Sequence, residues 1–158
     1  MIGFEHHNHG DCIATSVAAA ERRCQAQGLR LTDVRRRVLE ILLSRHQAMG
    51  AYEILEVLNA EGLGSQPPVA YRALDFLVAN GFAHKIERLN AFVACGHPDG
   101  DCAPAFLICR SCEKVAEAQA SPSDGALGAS AAAAGFVIER AVVEVVGLCP
   151  GCRDAGAA

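Results

Sequence analysis

Two short stretches limit what this chain can be. "LICRSC" (Leu107–Cys112) and "LCPGC" (Leu148–Cys152) each carry two cysteines with two residues between them, and residues 113–147 separate the stretches. Two residues between cysteines let one tight turn aim both sulfurs at a single ion, and four thiolates match a tetrahedral zinc site. The intervening segment is longer than that of a compact zinc finger. It is long enough for a strand, a helix and a second strand to bring the chain back. Cys109, Cys112, Cys149 and Cys152 are therefore expected to bind one structural zinc that ties the two ends of a small unit together.

The chain has 158 residues and eight cysteines. In a reducing compartment so many cysteines point to metal ligation or redox chemistry rather than disulfides. The start, "MIGFEHHNHGDCIAT", lacks a basic region followed by an apolar run, so it does not read as a signal peptide. No stretch approaches the roughly 20 apolar residues that span a bilayer. The expectation is a soluble, cytoplasmic protein with no membrane partner. Only 5% of residues are aromatic and Trp is absent, so small aliphatic side chains must fill the core. Residues 1–90 carry equal numbers of basic and acidic groups, so the whole net charge of −4 belongs to the remainder. A neutral first part with clustered arginines is compatible with contact to phosphate.

The fold class expected is α+β. Residues 1–15 read as a flexible polar tail that holds His6, His7 and His9. A first helix starts after Thr15 or Ser16 and ends near Gly28. A second, "LTDVRRRVLEILLSR", has Thr32 as N-cap and an apolar stripe of Val34, Val38, Leu39 and Leu42. A third covers about Ala51–Glu61. A fourth begins at the prolines of "QPPVAYRALDFLVAN", because proline is tolerated in a first helical turn. On it Val69, Ala73, Leu74, Phe76 and Leu77 share one side, and Tyr71, Arg72 and Asp75 the other. "FAHKIERLNAFVAC", broken at Arg88-Leu89-Asn90, is a β-hairpin. Helices followed by a small hairpin make a winged helix-turn-helix over residues 16–90. Residues 91–158 form a second unit, with strands in "AFLIC", "KVAEA" and "FVIERAVVEVVGLC" and a helix capped by Ser121 or Ser123 and ended by Gly135.

A looser group lies at the boundary of the two parts: His84, Cys95, His97, Asp99, Asp101, Cys102 and Glu117. These are mixed N, S and O donors from three segments. A site of that kind can be filled or empty according to metal supply, and its state sets how the two parts sit. Cys12 and Cys24 stand apart and read as ordinary thiols.

At this point the residues resemble a known family. "RLT" at 30–32, "AYEILEVL" at 51–58, "PPVAYRALDFLVANGFAHKIE" at 67–87 and the two cysteine pairs are similar to the ferric uptake regulator (Fur) family, and more closely to its zinc-sensing branch. The resemblance spans roughly residues 16–152. It implies a homodimeric transcriptional repressor, with an N-terminal winged helix on palindromic DNA and a small C-terminal α/β dimerisation domain. It also implies two Zn²⁺ per subunit: a structural ion at the four cysteines, and a regulatory ion at the hinge held by His84, Cys95, Cys102 and Glu117. The fourth helix would carry Tyr71 and Arg72 towards bases. Arg22, Arg23, Arg30, Arg36 and Lys85 are candidates for phosphates.

The chain departs from that pattern in three places. Where the zinc branch has a histidine seven residues before the first paired cysteine, this chain has Cys102; His97 is the rival ligand. The family's Thr-Val before the Tyr-Arg pair is here Val69-Ala70, so one hydroxyl contact is lacking. The His-rich run of the iron branch is absent, and two thiolates in a sensor suit zinc better than iron or manganese.

Three other readings compete. One is a family member that senses another metal or peroxide. Another is a thiol switch in which oxidation ejects zinc from Cys109–Cys152, which leaves the fourth helix and hairpin without a purpose. The last is a zinc hydrolase or deaminase, which needs an open metal position beside a general acid or base. The four-cysteine set is closed and no such partner motif adjoins it, so neither an enzyme nor a small-molecule substrate is expected.

Overall fold

The structure is a computed structural model, and it describes residues 9–45, 47–97 and 104–156. The described residues make two lobes. The first contains α1 (His9–Ala26), α2 (Asp33–Leu43), α3 (Ala51–Ala60) and α4 (Pro67–Ala79), then the hairpin β1 (Ala83–Ile86) and β2 (Ala91–Ala94). Each helix obeys its sequence pattern. The Thr32 hydroxyl accepts a bond from the Arg35 N–H at the start of α2. The Gly50 N–H donates to the Glu53 carboxylate at the start of α3, 2.8 Å away. The apolar stripes of the helices turn inward: Val38, Leu39 and Leu42 of α2, Ile54 and Leu58 of α3, and Ala70, Ala73, Leu74 and Leu77 of α4 are all buried. Phe82 and Phe92 close this core from the hairpin side.

The tight entry to α4 needs a glycine. Gly64 has φ +143, and a Cβ there would lie 2.8 Å from Val69 Cγ1. A side chain would be strained by the backbone and would collide with the first turn of α4.

The second lobe is a three-stranded sheet in the order β4-β3-β5, made of β3 (Pro104–Cys109), β4 (Val115–Gln119) and β5 (Val143–Gly147). β3 and β4 are antiparallel neighbours. β3 and β5 are parallel, so the chain must cross over between them. A 3₁₀ turn at Pro122–Asp124 and helix α5 (Ala126–Ala133) make that crossing, and α6 (Pro150–Asp154) follows β5. The core here is thin. Phe106, Ile108 and Val115 share their buried cluster with Ile86 of the hairpin, and Ala48, Leu89 and Val93 pack on it. That cluster joins the lobes.

Three expectations are corrected. α1 begins at His9 rather than after Ser16; the Thr15 hydroxyl donates back to the Asp11 carbonyl, which is interior helix bonding and not a cap. Neither Ser121 nor Ser123 caps α5, whose N-cap is Gly125. Only residues 143–147 of the long β-branched run are strand, the five that pair with Ala105–Cys109 of β3. Phe136 and Val137 ahead of them are 67% and 80% exposed. Among the described residues no helix is long and apolar enough to cross a membrane.

Candidate metal centres and nucleic-acid face

β3 ends at Cys109 and the chain turns at once, with Glu113 in the left-handed region at φ 58, so that Cys112 folds back beside it. Parallel pairing of Cys109 with Gly147 brings the end of β5 alongside. Cys149 then stands at the N-cap of α6, and Cys152 lies in that helix. The sulfurs of Cys109, Cys112, Cys149 and Cys152 all lie within 4.8 Å of one another. Those of Cys112 and Cys149 are 3.7 Å apart. Four sulfurs each about 2.3 Å from a tetrahedral ion are separated by about 3.8 Å. The donor set therefore fits zinc in both chemistry and spacing.

The backbone prepares these thiols unequally. The N–H groups of Cys112 and Cys149 hold Cys109 down to about 6. Cys112 is pushed up to about 12: the Lys114 N–H opposes the rise, but burial and the neighbouring thiols of Cys109, Cys152 and Cys149 outweigh it. The Cys109 thiolate forms easily while Cys112 resists ionisation beside it, which is the electrostatic problem a divalent cation removes.

The second cluster joins three segments. His84 lies on β1, Cys95 just beyond β2, and Glu117 on β4, and one ligand atom from each falls within 4.8 Å of the others. Nε2 of His84 is buried and has no hydrogen-bond partner among the described residues. A buried ring nitrogen without a partner is costly unless something else satisfies it, so this site too fits a metal. Burial holds the His84 imidazole below its ordinary range, against the opposing pull of Glu117, and so favours the neutral form that ligates. Glu117 Oε2 also accepts the Gly96 N–H at 2.8 Å. Nδ1 of His97 lies 3.5 Å from Glu117 Oε1, so the rival ligand sits at the rim of the same cluster. Cys102, Asp99 and Asp101 lie outside the described residues, as do His6 and His7.

On α4, Tyr71 is 41% exposed and Arg72 is exposed beside it, opposite the buried Ala73, Leu74 and Leu77. Arg22 and Arg30 are exposed. Other arginines are engaged within the lobe. Arg23 lies over the Phe82 ring at 4.8 Å and donates to the Asn80 carbonyl. Arg35 covers the Phe76 ring at 3.7 Å. Arg36 pairs with Glu21, and Arg37 makes two bonds to Glu61. Lys85 pairs with Glu87 at 3.2 Å. Two groups were passed over in the sequence: Tyr52 of α3, 63% exposed and outside the Ile54–Leu58 stripe, and Glu144, an acid inside a run of valines.

No family model matches the chain. Individual proteins do. The zinc uptake regulation protein of Escherichia coli K12 is 36% identical over 139 residues, which is 87% of this chain and 81% of that protein. A solved zinc uptake regulator complexed with zinc and DNA superposes with a TM-score of 0.85 at 35% identity, covering 92% of this chain and 98% of that one. Holo XcZur is 42% identical with a TM-score of 0.79 over 89% of this chain and 98% of its own. Apo XcZur is 43% identical over 90% of this chain and 99% of its own, yet its TM-score is 0.52. At nearly equal identity, this chain superposes better on the holo form than on the apo form. Identity at this level over four-fifths of a relative's length makes the chain a member of the zinc uptake regulator (Zur) branch of the ferric uptake regulator family.

Proposed function

We propose that the protein is a zinc-responsive transcriptional repressor that acts in the cytoplasm as a homodimer on palindromic operators. The observation that carries this is the superposition on a regulator bound to zinc and DNA, in a chain whose His84, Cys95 and Glu117 converge where the lobes meet. The expected division at residues 16–90 and 91–158 would cut the hairpin between β1 and β2, so the winged-helix lobe would run from α1 at His9 through β2 at Ala94, and the dimerisation lobe would begin beyond it.

Cys109, Cys112, Cys149 and Cys152 would hold a structural zinc. His84, Cys95, Glu117 and Cys102 would hold the regulatory one, with His97 as the alternative to Cys102. Zinc bound at the hinge supplies a Lewis acid shared by residues of both lobes. The chain's own part is to present neutral His84 from the wing and Glu117 from the sheet at one point. Satisfying the His84 ring nitrogen then depends on keeping the lobes together. β5 is an edge strand with Val145 and Val146 at 48% and 40% exposure. Pairing that edge with a second copy would cover both the valines and the open backbone. Two-fold pairing places two α4 helices at a fixed spacing, as a palindrome requires. Arg72 would bind guanine O6 and N7, and Tyr71 a base edge or a thymine methyl. Arg30 would contact phosphate, while Arg36 and Lys85 would exchange their carboxylate partners for phosphate.

Metal analysis combined with mobility shifts across Zn(II), Fe(II) and Mn(II) tests the proposal. Zinc is expected to give two equivalents per subunit and the tightest operator binding. Equal response to iron or manganese would reassign the sensor.

A further inference from the structure

Besides the apolar cluster that joins the lobes, one row of side chains fastens the hairpin to the sheet along its length. Phe106 of β3 pairs with Glu117 of β4 on one side and with Glu144 of β5 on the other. Directly opposed residues of neighbouring strands project to the same face. Glu117, Phe106 and Glu144 therefore form a row across the sheet, and each reaches a different part of the hairpin. Glu117 takes the base, accepting the Gly96 N–H beside His84 and Cys95. Phe106 takes the middle, its ring 5.5 Å from that of His84 and packed with Ile86. Glu144 takes the tip. Its Oε1 accepts the Glu87 N–H at 2.7 Å and its Oε2 accepts the Arg88 N–H at 3.1 Å.

Two successive backbone N–H groups in a turn form a concavity suited to an anion, and here a carboxylate of the other lobe fills it. The turn is tight enough for the Asn90 N–H to bond the Glu87 carbonyl at 3.2 Å, with Asn90 at φ 46. The two ends of the row differ in kind. At the base the carboxylate that accepts the Gly96 N–H is itself one of the metal-capable groups, whereas at the tip a carboxylate and two amides meet with no metal-capable neighbour in the cluster.

We infer that Glu144 is a positioning residue, the metal-independent pivot about which the winged lobe swings when the hinge site empties. This rests on the hinge reading given above. Loss of metal frees the base of the hairpin while Glu144 keeps its tip on β5, the strand whose edge faces the dimer partner in that reading. The swing then has one fixed end, so refilling the site restores one geometry rather than searching many.

Site-resolved amide exchange on the full-length zinc-loaded protein tests this, with operator affinity measured in parallel. Glu144→Ala should speed exchange at Glu87 and Arg88 about tenfold, as expected for a weak charge-assisted bond. Gly96 should stay protected and zinc content unchanged, while operator binding weakens by a similar factor. Glu144→Gln keeps one oxygen acceptor and should fall between. In His84→Ala protein with the four-cysteine zinc retained, Gly96 should lose protection while Glu87 and Arg88 keep theirs. The pivot is overturned if Glu144→Ala and Glu144→Gln leave both amides or operator affinity at wild-type values. It is equally overturned if Glu87 and Arg88 open together with Gly96 in His84→Ala. Should wild-type operator affinity and Gly96 protection both ignore zinc, the hinge reading itself fails, a result distinct from either.

Discussion

The two lobes solve the problem of holding a fold in opposite ways. The first buries a continuous set of aliphatic side chains from four helices and a hairpin, with Ile54, Leu58, Leu74 and Leu77 fully enclosed. The second buries little. Its crossover helix α5 has no buried residue, and Leu127, Phe136, Val142 and Val145 are exposed. What closes it within one chain is the cluster of four sulfurs and the small apolar patch shared with Ile86. The first lobe has a core of its own; in the proposed function the second would depend on an ion, on its neighbour and on a partner surface. A regulator would gain from that division, because the reading head would stay folded whatever the metal supply.

The sharpest way to break the comparison is Cys109→Ser. Structural zinc contributes apparently about 10–16 kcal/mol in finger peptides, comparable to the roughly 5–15 kcal/mol of a whole domain. One zinc per subunit should be lost, dimerisation should weaken, and limited proteolysis should degrade residues beyond about 104 while the helical lobe survives. A stable second lobe with unchanged zinc would refute the division. Leu74→Ala is the converse. It should lower stability by about 2–5 kcal/mol, seen as a lower thermal midpoint, with zinc content intact. At the hinge, Cys102→Ser should keep the dimer but abolish the zinc dependence of operator binding, a coupling of about 1–3 kcal/mol. If His97→Ala does so instead, His97 is the fourth ligand. Arg72→Ala should cost about 1–3 kcal/mol in specific binding and far less in nonspecific binding; equal losses would make it a phosphate contact.

The smallest effect is expected at Glu61, on the surface. Arg37 lowers its pKa, so its stabilisation is present above the ordinary carboxylate range and is lost as pH falls through the lowered value. Glu61→Gln should flatten that acid-side loss in pH-dependent melting and leave zinc and DNA binding unchanged.

Local patterns were legible in the sequence. The 3.6-residue stripes of α2, α3 and α4, the Thr32 cap and the paired cysteines each state their structure within a dozen residues. So did the hairpin, whose turn falls at the Arg88–Asn90 break. Features that depend on distant pairing were not legible. The run from Phe136 to Cys149 is rich in β-branched residues throughout, and the register with β3 selects the five positions that pair. Glu144 carried no signal of its own in the sequence; the registers of β3 with β4 and with β5 place it in line with Phe106 and Glu117. α6 was hidden because proline after Cys149 reads equally as a turn or as a first helical residue. The residues converging at the hinge were singled out as donors from their chemistry, but the meeting of His84, Cys95 and Glu117 needs both sheets and the packing between lobes.

The account rests on metal at the hinge setting the geometry of the DNA-binding lobes. The most direct measurement is the operator Kd of the dimer with the hinge site loaded and with it emptied, the four-cysteine zinc retained in both. The prediction is tightening of roughly 5–150-fold on loading. Equal Kd values in the two states would contradict it.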